Sequence, residues 1–67
     1  MSQKKKHELL NLSEQILEFI NESDSSVLTK IDALAIVTGK MLCQIRKEAR
    51  KAVVDGTIST IKKIASL

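Results

Sequence analysis

Apolar residues recur at helical intervals through nearly the whole chain. From His7 to about Asn21 they are Leu9, Leu10, Leu12, Ile16, Leu17, Phe19 and Ile20. Leu9, Leu12, Ile16 and the pair Phe19 and Ile20 trace one stripe of a helix, and Glu8, Glu14, Gln15 and Glu18 fall outside it. This pattern predicts a first helix. Asn21 to Ser26 (NESDSS) is polar and rich in cap and turn residues, so it reads as a loop. A second helix is expected to start near Ser26 or Thr29. Thr29 and Asp32 have the spacing of a capping box with Asp in the Glu position.

This second helix is expected to be long. Leu28, Ile31, Ala35, Thr38, Leu42, Ile45, Ala49 and Ala52 keep an alternating three- and four-residue step, and only Thr38 among them is polar. Leu34, Val37 and Met41 form an adjoining stripe. Across Ala33 to Val37 every side of the helix is apolar, which is the mark of a helix covered all round. Two short helices can hardly enclose a third, so a second chain is expected to contribute. A buried strand is the alternative for those five residues. Gly39, inside the helix, either permits close approach of a neighbour or marks a break. Asp55 and Gly56 supply the expected stop, followed by a short third helix carrying Ile58, Ile61, Ile64 and Leu67 and capped by Asp55 or Thr57. Residues 1 to 6 (MSQKKK) read as a disordered basic tail, and 7 to 67 as a single helical domain.

Composition narrows how such helices become stable. A domain of 67 residues buries only about 60% of the surface its unfolded chain exposes. Small domains compensate with disulfides, metals or oligomerisation. Cys43 is the only cysteine and His7 the only histidine, so neither an intrachain disulfide nor a structural zinc site with its usual four or so ligands can form. No cofactor is expected, and oligomerisation remains. The absence of proline and the single aromatic residue, Phe19, further favour helix over strand. The longest apolar run, Ala33 to Val37, is far short of the ~20 residues of a membrane span. Met1 to Lys6 could begin a signal peptide, but Glu8, Asn11, Glu14 and Gln15 rule out an apolar segment immediately after it. An unpaired cysteine without an export signal points to the cytoplasm.

Charge is unevenly placed. Glu14, Glu18, Glu22 and Asp24 make the first helix and its loop acidic, whereas Lys40, Arg46, Lys47, Arg50 and Lys51 stand against Glu48 alone. These read as solvated faces that help to set helix orientation. They also raise a DNA-binding alternative. Leu34, Ala35, Gly39 and Ile45 fit part of a helix-turn-helix pattern, which would make Met41 to Val53 a recognition helix presenting Gln44, Arg46, Lys47, Arg50 and Lys51, with Lys40 beside it. Lys40 and Glu48 stand where apolar residues are usual, and the net charge is only +3. Catalysis has little to draw on. His7 and Cys43 lie in different elements, and Glu14 and Glu18 are on a polar face with nothing to enclose a substrate. The acidic face of the first helix argues against a membrane surface, and a single Phe against single-stranded nucleic acid.

The run Asp32-Ala33-Leu34-Ala35-Ile36-Val37-Thr38-Gly39-Lys40-Met41 resembles the second helix of the small bacterial YejL-like family. Ile16-Leu17-Glu18 and Arg50-Lys51-Ala52-Val53-Val54 are similar to other helices of that family. The loop around Asp24 to Leu28 and the segment between Ile45 and Arg50 differ in length. The resemblance implies an all-helical homodimer and carries over no function and no catalytic residue.

The sequence therefore predicts an all-α, three-helix chain with a long central helix, forming an intertwined homodimer. Leu28, Ile31, Leu34, Ala35, Val37, Met41, Leu42 and Ile45 are the expected core and dimer residues. The expected activity is association with itself, or with another protein, and not catalysis on a small-molecule substrate. The alternative is a small helix-turn-helix regulator that contacts DNA through residues 40 to 51.

Overall fold

A computed structural model describes residues 3–67, and all the regular structure among them is α-helix: α1 (Gln3–Asn21), α2 (Val27–Leu42) and α3 (Lys47–Ala65). The chain divides into two units, Met1–Asp32 and Ala33–Leu67, with the boundary inside α2.

In the first unit α1 starts earlier than its apolar stripe requires. Gln3 to Lys6 are helical where a disordered tail is expected, and Met1 and Ser2 lie outside the described residues. Lysine is a good helix former, so three of them extend α1 at little intrinsic cost. The charges of α1 nevertheless oppose its dipole. Its first turn holds no acid and its last turn no base; Lys4, Lys5 and Lys6 crowd the positive end and Glu18 sits near the negative one. Beyond α1 the Ser23 hydroxyl accepts the Ser25 N–H (3.2 Å) and tightens the loop. Ser26 then caps α2, its Oγ accepting the Thr29 N–H at 3.2 Å. The expected Thr29–Asp32 box is thus not the start: Ser26 begins the helix one turn earlier.

In the second unit the expected long central helix is two helices. At 16 residues α2 is shorter than α1 and α3, which have 19 each. Gly39 does not break it. The break falls at residues 43 to 46, where Cys43, Gln44 and Ile45 donate their N–H groups three residues back, to Lys40, Met41 and Leu42. Such bonds tighten a last turn that cannot continue. Arg46 is extended (ψ 137°) and leads into α3. No glycine or proline forces this turn. Local bonds favour it: the Arg50 Nε–H donates back to the Ile45 carbonyl at 3.4 Å, and the Cys43 thiol to the Gly39 carbonyl at 3.6 Å.

Asp55 and Gly56, the expected stop, lie inside α3. The apolar register of Val54 continues through Ile58 and Ile61, which gives the chain reason to stay helical. Lys51 and Asp55 pair one turn apart at 3.1 Å, and the Thr60 hydroxyl bonds to the Gly56 carbonyl at 3.1 Å. α3 ends instead at Ser66, in the left-handed conformation (φ 58°), with the Leu67 N–H reaching the Lys62 carbonyl.

No described residue is buried. Ile20, Lys30, Leu42, Ile45 and Arg50 are half-buried, and the rest are exposed. A Cβ added at Gly56 would meet nothing within 4 Å. Gly56→Ala is therefore expected to stabilise the protein by about 1 kcal/mol, read as a rise in thermal midpoint.

Candidate association surface and basic cluster

Seven of the eight expected core residues lie on α2: Leu28, Ile31, Leu34, Ala35, Val37, Met41 and Leu42. Their spacing puts them on one broad arc of the helix, interrupted by Lys30 and Thr38. Thr38 turns its hydroxyl onto the Leu34 carbonyl (2.8 Å), so its polar group is satisfied within the helix. The arc stays open to solvent: Leu28 is 75% exposed, Met41 58% and Leu34 37%. Ile45 has left the arc. It sits in the connector, half-buried, with its N–H on the Leu42 carbonyl at 3.3 Å and its carbonyl under the Arg50 guanidinium. Ile36, outside the expected set, occupies the opposite side of α2 and is 61% exposed.

The six candidate nucleic-acid contacts are split among three elements. Lys40 is in the last turn of α2, Gln44 and Arg46 are in the connector, and Lys47, Arg50 and Lys51 are in the first turns of α3. The expected recognition helix from Met41 to Val53 does not exist as one piece, since Met41 and Leu42 belong to α2. The four-residue connector does have the length of a helix-turn-helix turn. The cation geometry fits that motif less well. Lys47, Lys51, Val54, Ile58 and Ile61 succeed each other in four- and three-residue steps, and Arg50 stands three residues after Lys47 and four before Val54, so the bases continue the apolar stripe of α3 instead of opposing it. Glu48, Ala52, Asp55 and Ser59 occupy a neighbouring face. A reading helix needs its base contacts turned away from the stripe that packs it down. Lys51 is further committed to Asp55, an exposed pair worth a few tenths of a kcal/mol.

Cys43 is exposed in the connector and His7 is exposed on α1. Among the described residues no three His, Cys, Asp or Glu side chains gather where they could hold a metal ion, and no helix is long and apolar enough to cross a membrane. Comparisons with protein-family models, curated proteins and solved structures find no match. Nothing in them bears on the expected resemblance to YejL-like helices.

Arg50 is a half-buried cation whose guanidinium bonds back to the connector at Ile45, a contact that sequence spacing alone does not single out. Its charge-assisted bond is long, so Arg50→Ala is expected to cost about 1 kcal/mol. Arg50→Met keeps the apolar stem and should recover only part of that loss in thermal unfolding. Full recovery by Met would assign the effect to packing and remove the carbonyl bond from the account.

Proposed function

We propose that this chain is a non-enzymatic cytoplasmic association protein whose apolar helix faces are covered by a second copy, as an intertwined homodimer. The observation that carries this reading is the exposure of the α2 arc together with the stripes of α1 and α3. Leu9, Leu12 and Phe19 on α1, and Ile58 and Ile61 on α3, are all open to solvent. Burying one such side chain is worth about 1.5–3 kcal/mol, and the chain has no disulfide to replace that stabilisation. Exposed apolar stripes on each helix mark surfaces for interaction. Another protein's helix could occupy the same arc; a second copy is favoured because its own faces are identical in kind.

A DNA-binding reading keeps one supporting observation, the four-residue connector bearing Gln44 and Arg46 directly ahead of Lys47. Its affinity would fall with salt, but so would that of any basic protein. The discriminating measurement compares random duplex with fragments of the host genome. Only weak, sequence-blind binding is expected; a preference of roughly 10³-fold for one fragment would make DNA recognition the function.

The association reading is checked by sedimentation at micromolar concentration. A dimer or larger species is expected, with a thermal midpoint that rises with protein concentration because assembly stabilises the folded state. A well-folded monomer with a concentration-independent midpoint would overturn it.

A further inference from the structure

The face of α2 opposite the broad arc has an order that the association reading does not use. Stepping along it are Thr29, Asp32, Ala33, Ile36, Gly39 and Lys40, all exposed. Ile36 is the one large apolar side chain there. Ala33 and Gly39 stand three residues to either side of it, and Asp32 and Lys40 four residues to either side. Asp32 and Lys40 are therefore two turns apart, roughly 12 Å along the axis, too far to pair with each other. Neither takes part in an ion pair of its own helix; the pair formed among the described residues is Lys51 with Asp55.

We propose that this face is the contact between two copies of the chain, with the two α2 helices antiparallel and a two-fold axis at Ile36. The proposal rests on the self-association put forward above and adds to the covered arc a second contact, between the two α2 helices, with a defined orientation. In a two-fold contact, a residue that meets another is met by it in return, so every contact is made twice. Position 36 minus k on one helix then faces 36 plus k on the other. Ile36 meets Ile36 of the second copy. Asp32 meets Lys40 and Lys40 meets Asp32, so one symmetry operation forms two opposite-charge pairs. Ala33 meets Gly39 twice, and with at most a methyl group on either side the backbones can approach closely. A parallel arrangement would instead set Asp32 against Asp32 and Lys40 against Lys40, so the charges select orientation by repulsion as well as attraction. The broad arc lacks this self-complementarity, because its one charged residue is Lys30 and no acid lies within it.

A Cβ at position 39 would meet nothing within 4 Å, so the chain itself leaves this position open to the approach of a second helix.

The test uses the full chain and measures its dimer dissociation constant by sedimentation, with helicity monitored by circular dichroism. Asp32→Lys and Lys40→Asp should each weaken the homodimer about tenfold or more, since each places like charges opposite one another twice. An equimolar mixture of the two variants should recover association close to that of the wild type, as a heterodimer in which every pair is again opposite. Gly39→Leu should keep or raise helicity while weakening the dimer by a similar factor, which separates blocked approach from misfolding. Variants that dimerise like the wild type, or a mixture that does not recover, would overturn this interface while leaving self-association intact. A wild-type chain that is monomeric throughout would remove the self-association reading itself, and this interface with it.

Discussion

Everything in this structure depends on helix amphipathicity that the described chain does not satisfy internally. α1 and α3 concentrate their apolar side chains on one side, as core-facing helices do, and α2 carries most of its own on one broad arc. Yet even the best-covered large side chains, Ile20, Leu42 and Ile45, are only half-buried. Backbone hydrogen bonding is complete within helices at no tertiary cost, so the helices can be specified locally. Stability is a different matter, because short isolated helices in water are marginal and gain most of their stability from a packed face. The missing contribution has to come from outside the local sequence, and this gives the α2 arc its significance.

The connector and the glycines show how small local effects decide between alternatives. A glycine stop at position 56 and a continuous helix through position 45 are both reasonable on propensity. The chain does the reverse at both places. At the connector, a guanidinium five residues ahead captures the Ile45 carbonyl, and tightened bonds close the turn. At Gly56, an ion pair one turn before and a hydroxyl one turn after flank a backbone that stays helical. Each of these effects is worth about 1 kcal/mol or less, but so is the propensity it opposes.

The helical class, α1 and the polar loop after it were legible because they rest on the period of apolar residues and on serine capping, both local properties. The start of α2 was legible to within a turn; Ser26 and Thr29 are both competent caps, and Ser26 is the one used. The division of the expected central helix was not legible. The apolar step passes unbroken from Leu42 to Ile45, and Cys43-Gln44-Ile45-Arg46 contains no breaker. The reach of Arg50 back to Ile45 accompanies the break, and a spacing of five does not belong to either helical template. The candidate basic site was legible as composition but not as geometry. Its six residues are neighbours in sequence, and the turn distributes them over two helices and a connector. Ile36 was visible as part of an all-round apolar run, whereas the symmetric placement of Asp32 and Lys40 about it becomes meaningful only once α2 is known to run unbroken through all three.

The reversed charges of α1 carry a consequence for timing. With lysines at its amino end and glutamate near its carboxyl end, α1 is the helix least able to nucleate unaided, since each terminal charge disfavours the dipole it sits on. Its ordering is then tied to whatever covers Leu9, Leu12, Ile16 and Phe19. In the homodimer proposed above, ordering of α1 and assembly would be coupled, and the coupling would respond to ionic strength because dissolved salt screens the same terminal charges. Under the association proposed above, the terminal charges of α1 would be offset by the burial of its apolar stripe, and salt would lessen what has to be offset.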